Sequence, residues 1–448
     1  MQPTPPAEQW QSRTTFVLAL ALAVLGLGNV WRFATLMGDN GGGPFFLSYL
    51  LCLVLIGVPL LIAEVLLGSH GRGSPFLTMN WATATAKRSP LWGLVALFAC
   101  LGGFLLLVLA MVIGGWLLAY AYHLQLGEFA AISLEDSARF LEAQLAAPGE
   151  LQAWQVGAGL IPALIVAAGV RRGIGILAWL AVPLILVLFA VLIDYALDYG
   201  DLAAAGERLF AWQTLDFHSG SFMAALVHAT FTLSIGVAAA MTYGAYAPPR
   251  LPIARSVLAV TIFDVSMAVA AAVVLFPLFP VSNVLPSEGF ALLFIAAPFS
   301  YGNLPFGDFY GALFFLTLFV ALLGSAVALM EPIVAVLIQQ FRLRRIWATA
   351  WVAGSAIVVS LFATHGIADS DDGGLLRRLD DASTGWFIPL TVLLLAIFVG
   401  WRMPRSLLRR ELEREPDILF ELWYFLLRFV AAPVAAFAWI WLRVQPQF

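Results

Sequence analysis

The stretch Gly26-Leu27-Gly28-Asn29-Val30-Trp31-Arg32-Phe33 sets two glycines, an amide and a guanidinium inside the first long apolar run of the chain. In hydrocarbon an unwound backbone must find partners for its amides and carbonyls. It therefore survives only beside a cavity or buried in protein. An arginine at the centre of a membrane span adds about 2.5–3.5 kcal/mol on insertion scales. A break this costly predicts a binding site.

The apolar run is no exception in this sequence. Of 448 residues 62% are hydrophobic and 11% charged, too little polar surface for a soluble core, so the chain reads as an all-α polytopic membrane protein. The net charge of −4 says little about partners, and nothing predicts nucleic-acid binding. Cys52 and Cys100 both fall in apolar spans and are expected as packed thiols, not a disulfide or metal pair. Residues 1–11 are polar and Pro-rich and lead into the first span without a small-residue cleavage site, so no cleavable leader is expected. The sequence holds no Asn-x-Ser/Thr sequon, in keeping with a prokaryotic origin.

Apolar runs separated by Arg and acidic clusters predict eleven spans, near 14–37, 45–68, 91–122, 154–170, 173–197, 219–246, 252–280, 309–339, 346–364, 385–401 and 419–442. The apolar segment 287–300, bracketed by Pro286 and Pro298, is too short to span and reads as short helices dipping into an outer vestibule. Most of the 23 Lys+Arg fall in alternate loops, including Arg72, Lys87, Arg88, Arg171, Arg172, Arg342, Arg344 and Arg345. The positive-inside rule then places the N-terminus in the cytoplasm of a plasma (inner) membrane and the C-terminus outside. The run Arg409-Arg410-Glu411-Leu412-Glu413-Arg414-Glu415 reads as a solvated helix face.

The sixth span repeats the oddity of the first. Phe231-Thr232-Leu233-Ser234-Ile235-Gly236-Val237 sets two hydroxyls and a glycine mid-span. Singly, such residues usually bond their own helix or allow close packing. Two broken spans five apart instead predict an inverted five-helix repeat with a site at the bilayer midplane. The repeats would cover 14–197 and 219–401, with an eleventh span at 419–442, all in one transporter domain. Span 5, with Ala178 to Pro183, offers a further unwinding point or a plain kink.

At these residues the chain resembles the bacterial neurotransmitter:sodium symporters, the family of sodium-coupled amino-acid and amine transporters. The resemblance rests on Trp10-x-x-Arg13, Gly26-Leu27-Gly28-Asn29-x-Trp31-Arg32-Phe33, Asn40-Gly41-Gly42-Gly43, Gly57-x-Pro59-Leu60-x-x-x-Glu64-x-x-x-Gly68 and Gly115-Trp116. It continues through Phe231-Thr232-Leu233-Ser234-x-Gly236 with Thr242-Tyr243, Glu331-Pro332 and Trp423-Tyr424-x-x-x-x-Arg428, from the first span to the eleventh.

The resemblance implies a first Na⁺ site built from the Val24 carbonyl, Asn29, Thr232 and Asp264. Asp264, where many relatives carry Asn, is expected to ligand Na⁺ and to replace the charge that chloride supplies in animal members, so that no chloride is required. Its other reading is a protonated acid bonded to a neighbouring helix. A second Na⁺ site would draw on the carbonyls of Leu22, Leu25 and Ala321 and on Ser325. The family's preceding Thr is Gly324 here, so one hydroxyl ligand is missing.

By the same resemblance the amides around Gly28 would take an amino-acid carboxylate, and Ser234 with the half-helix ends the amine. Phe231 would be the lid, and Ala23, Val24, Leu106, Ala110, Thr232, Val237, Ser325 and Leu329 would line the pocket. Ala23 is apolar, which argues against cationic amines. Ala110 stands where the family has a Tyr that holds the carboxylate. Losing that bond either weakens recognition, by about 1–3 kcal/mol, or makes room for a different solute.

Arg32 would meet Asp380 or Asp381 as an outer gate, or else snorkel to the interface. Glu64 is expected to support the unwound backbone of span 6, and His228 to be a hydrogen-bonded interior residue. Spans 1, 2, 6 and 7 would rock against the remaining scaffold. The resulting function is sodium-coupled symport of a small neutral or hydrophobic amino acid; the alternative is the same fold moving or sensing another solute. No His-Glu-x-x-His, Gly-x-Gly-Asp or Ser/His arrangement suggests an enzyme.

Overall fold

Wherever the sequence sustains some twenty apolar residues, the chain forms one long helix, because in lipid every backbone group must be satisfied within its own segment. A computed structural model describes residues 8–26, 28, 32–282, 289–365 and 374–441, and the backbone alone of 442–444. Among these residues nine helices are long and apolar enough to cross a membrane: Gly43–Gly71, Pro90–Gln125, Gly149–Ala167, Val170–Tyr199, Ile253–Val281, Gly307–Phe341, Arg345–Thr364, Gly374–Arg402 and Asp417–Trp441. They are spans 2–5 and 7–11 of the sequence reading.

Spans 1 and 6 complete the eleven as broken helices. Span 1 runs Arg13–Val24, capped at its start by the Ser12 hydroxyl, and resumes as Arg32–Asp39. Span 6 runs Ser219–Phe231 behind a reciprocal His218–Ser221 cap and resumes as Ala239–Ala245. The fold is the all-helical inverted repeat, five spans and five, with an eleventh appended. Its only extended pairing among the described residues is an isolated bridge between Gly42 and Trp212.

Span 8 (Gly307–Phe341) lies deepest, with 83% of its apolar window buried, and packs along span 3. Spans 4, 5 and 9 ring them and turn Leu164, Leu180, Trp351 and Phe362 outward, a face suited to lipid. Spans 2 and 6 meet almost backbone to backbone. A Cβ on Gly68 would lie 1.8 Å from the Met241 carbonyl oxygen, and one on Gly244 2.5 Å from that of Val65. Glycine alone permits that approach, so span 2 and the second half of span 6 are coupled as one body.

Two sequence expectations change. Span 5 runs unbroken through Pro183 from Gly175 to Tyr199. Its irregular turn lies earlier, at Val170–Ile174, where the helix widens to a π turn. The 409–415 run is not simply a solvated face: Glu411 bonds His70 at the end of span 2, and Leu412 and Glu415 are buried. The turn is pressed against the bundle by its apolar side. Of the vestibule segment, Gly289–Gly302 is helical, while 283–288 lie outside the described residues. Cys52 and Cys100 are free thiols, as expected.

Candidate functional site

The two breaks face each other, and the atoms released by one are taken up by the other. The helix of span 1 ends at Val24, so the last carbonyls of that turn have no intrahelical donor. Two hydroxyls from elsewhere reach them. Ser234 Oγ of span 6 donates to the Ala23 carbonyl at 3.3 Å, and Ser325 Oγ of span 8 lies 2.9 Å from the Leu25 carbonyl and 3.3 Å from that of Ala23. Asn29 lies outside the described residues. At Gly28 a Cβ would touch nothing within 4 Å, so the backbone there borders open space.

The span 6 break is held in an uncommon conformation. Ser234, Gly236 and Ala238 have φ of +51°, +82° and +63°. For non-glycine residues this left-handed region is costly and persists only where the surroundings enforce it. Glu64 of span 2 supplies part of that enforcement, its Oε2 accepting the Gly236 amide at 3.0 Å. The supporting role expected of Glu64 is the one its geometry fits.

Beside the breaks, Thr232 Oγ1 donates to Asp264 Oδ2 at 2.9 Å. Asp264 is wholly buried in span 7. A carboxylate in such a place is kept charged only by hydrogen bonds and a cation. Tyr49 of span 2 stands next to this pair. It was not singled out from sequence, although a tyrosine inside the apolar run of span 2 is the signal that could have found it. The His228 ring lies against Phe33 and Tyr49, with centroids at 5.8 and 5.3 Å, and its Nε2 has no hydrogen-bond partner. His228 is packed among aromatic rings, and its Nε2 side meets ring faces, not a hydrogen-bond partner.

The positions expected to line a solute are mostly enclosed. Ala23, Ala110, Val237 and Leu329 are buried, and Leu106 and Phe231 are half-buried. Span 3 approaches closely, since a Cβ on Gly103 would lie 3.0 Å from the Val237 carbonyl. Side chains of this wall are hydrocarbon apart from Ser234, Thr232 and Ser325. At the position of the expected carboxylate clamp, Ala110 contributes only a methyl group.

On the second-ion side, Ser325 Oγ lies on the Leu25 carbonyl, and the Leu22 carbonyl and side chain both close on Gly324. At one end of span 1, Arg32 and Asp380 act on each other through charge without forming a direct ion pair, and Asp381 acts on Asp380 instead. Of the two expected partners, it is Asp380 that feels the Arg32 charge.

At the opposite end lies a network that sequence reasoning missed. Trp10 donates Nε1–H to the Tyr243 carbonyl and its amide to the Tyr246 carbonyl, both at 2.9 Å. Tyr246 donates its hydroxyl to Glu331 at 2.7 Å, and Arg345 closes on the other Glu331 oxygen. Arg345 also reaches the Val166 carbonyl at 2.7 Å and Glu8 at 4.0 Å, and Glu8 receives the Val170 amide at the π turn of span 5. The N-terminal strap thus ties spans 5, 6 and 8 together below the site.

Comparison with known proteins agrees with this architecture. The model of the sodium:neurotransmitter symporter family matches residues 7–130 and 133–446. The chain is 28% identical to the sodium-dependent transporter YhdH of Bacillus subtilis, over 94% of each. It is 27% identical to a sodium-dependent transporter of Methanocaldococcus jannaschii, over 97% of this chain and 90% of the relative. Among solved structures, that of MhsT in complex with L-phenylalanine superposes with a TM-score of 0.85 at 30% identity, covering 97% of this chain and 99% of that one.

Proposed function

Since the chain belongs to the sodium:neurotransmitter symporter family, we propose that it imports a small hydrophobic amino acid with Na⁺ by alternating access. The observation that carries this reading is the Thr232–Asp264 pair buried beside the end of the first half of span 1. A hydroxyl, a carboxylate and unconsumed carbonyls are hard oxygen donors, the chemistry a Na⁺ ion takes. With Asp264 as a permanent anion, the site is neutralised by its own cargo ion, and transport needs no chloride.

The hydrocarbon wall of Ala23, Leu106, Ala110, Val237 and Leu329 supports an apolar solute side chain. The relative bound to L-phenylalanine supports the amino-acid class. The carboxylate would sit on the amides after the span 1 break, where a helix start attracts an anion. There it would share the ion's surroundings, so that each raises the affinity of the other. Its amine would meet Ser234 and the free carbonyls.

The cycle needs one end closed while the other opens. The Trp10–Glu331–Arg345 network holds one side shut while Arg32 and Asp380 stand apart, the arrangement of an outward-facing carrier in a plasma membrane with its N-terminus in the cytoplasm. Spans 2 and 6, locked at Gly68 and Gly244, would move with spans 1 and 7 against spans 3 and 8. Each Na⁺ crossing 100 mV contributes about 2.3 kcal/mol to this movement.

The test is a melting screen of the purified protein against an amino-acid panel, with and without Na⁺. Stabilisation by apolar amino acids only in Na⁺ supports the reading. Stabilisation by a non-amino-acid metabolite alone would favour a different cargo, for which the missing hydroxyl at Ala110 would be the reason.

A further inference from the structure

The expected second ion position departs from the family pattern at Gly324, and the departure has a definite shape. Leu22, Leu25, Ala321 and Ser325 are all buried, at 2%, 1%, 2% and 8% exposure, so solvent does not complete a shell there. A Cβ on Gly324 would lie 2.1 Å from Leu22 Cγ, 2.7 Å from Leu22 Cδ1 and 2.7 Å from the Leu22 carbonyl oxygen. No real side chain tolerates such contacts. The Leu22 isobutyl group occupies the volume into which residue 324 would project, so the two form a size-complementary pair from spans 1 and 8. Where a hydroxyl ligand would come from, there are methyl groups.

The remaining hydroxyl is already engaged. Ser325 Oγ has one proton and two carbonyls in reach, Leu25 at 2.9 Å and Ala23 at 3.3 Å. The Leu25 carbonyl, needed as an ion ligand, accepts that proton. The Ala321 carbonyl lies within the continuous helix Gly307–Phe341, where the regular pattern directs it to the amide of residue 325. A hard cation exchanges its hydration shell for about six oxygens. This position offers at most four from the protein, and two of those, Ser325 Oγ and the Leu25 carbonyl, are held against each other by a hydrogen bond.

We infer that this protein binds a single Na⁺, at the Thr232–Asp264 site, and that the Ser325–Leu25 hydrogen bond pins span 1 to span 8 in place of a second ion. The inference rests on the sodium-coupled reading above and gives it a stoichiometry. One ion at 100 mV sustains an accumulation of about 50-fold for a neutral solute, against about 10³-fold for two. The protein would trade concentrating power for operation on less sodium.

The experiment is equilibrium binding of ²²Na⁺ to the purified full-length protein, titrated to saturation. It uses the ion alone, so it does not depend on the identity of the solute. The expected result is one Na⁺ per chain, abolished in Thr232→Val. The double variant Leu22→Gly/Gly324→Thr, which removes the isobutyl group, lets the freed Leu22 carbonyl draw back from its 2.7 Å approach and supplies the hydroxyl, is expected to bind two. Two ions in the wild type overturn this inference and leave sodium-coupled transport standing. No ion in the wild type overturns both. One ion that persists in Thr232→Val also overturns it, because the ion would then sit elsewhere. If the double variant fails to fold, the wild-type count and Thr232→Val still decide the matter.

Discussion

Glu64 Oε2 and the Gly236 amide meet at 3.0 Å across the seam between spans 2 and 6. This contact joins a side chain that cannot be stable alone in lipid to a backbone that cannot be satisfied alone. Each resolves the other's deficit, and the site's geometry depends on the result.

Replacing Glu64 tests that dependence. Glu64→Ala is predicted to lower stability by about 1.5–3 kcal/mol, the range for a hydrogen bond to a charged group, and to reduce Na⁺ binding with it. Glu64→Gln keeps an acceptor and should lose less than half of that. Thermal unfolding of both variants in detergent is the measurement. An alanine variant as stable as the wild type, with unchanged Na⁺ affinity, would falsify the support role.

Asp264 is predicted to make the protein indifferent to chloride. Replacing chloride by gluconate should leave wild-type Na⁺ binding within twofold. Asp264→Asn, which removes the buried charge beside Thr232, should weaken Na⁺ binding at least tenfold in chloride-free buffer. Strong chloride dependence in the wild type would contradict the assignment.

The proposed inner closure turns on Glu331, which takes Tyr246 on one oxygen and Arg345 on the other. Breaking a buried pair by removing one partner costs about 3–5 kcal/mol, and here the cost falls on one conformation. Glu331→Gln should shift the population toward the inward-open form. A cysteine placed at Ala240, buried below the site, in a background lacking Cys52 and Cys100, would report it. Its alkylation from the cytoplasmic side should rise at least tenfold. Equal rates would show that the network does not gate access.

In the proposed site, Ala110 stands at the carboxylate end of the pocket. Ala110→Tyr is predicted to return a hydroxyl, tightening the binding of small apolar amino acids about tenfold while weakening that of the largest. Competition binding across a size series measures both. Uniform loss across the series would place residue 110 away from the solute.

Much of this was legible before any fold was known. The spans follow from hydropathy because lipid leaves helices no alternative, and both breaks were visible because glycine and polar residues are conspicuous against hydrocarbon. Thr232 and Glu64 could be named for the same reason, and Asp264 and Ser325 through the family resemblance. What stayed hidden depends on distance in space. Leu22 and Gly324 are 302 positions apart, and neither looks unusual in its own helix. Arg345 and Glu8 read as ordinary loop charges, since only the folded chain brings them to Glu331. Tyr49 was passed over because a tyrosine in an apolar run counts as hydrophobic until its hydroxyl is seen beside Asp264. The turn at 409–415 misled because its charges outnumber the few apolar residues that dock it.

The central claim is that a Na⁺ gradient alone drives solute inward through the site between the two breaks. The direct measurement is uptake of radiolabelled apolar amino acids into proteoliposomes of the purified protein. An inward Na⁺ gradient would be compared with an equal K⁺ gradient, both without chloride. The account predicts concentrative uptake with Na⁺, none with K⁺, and none for Thr232→Val with Na⁺. Uptake that is equal under both gradients, or that survives Thr232→Val, would contradict it.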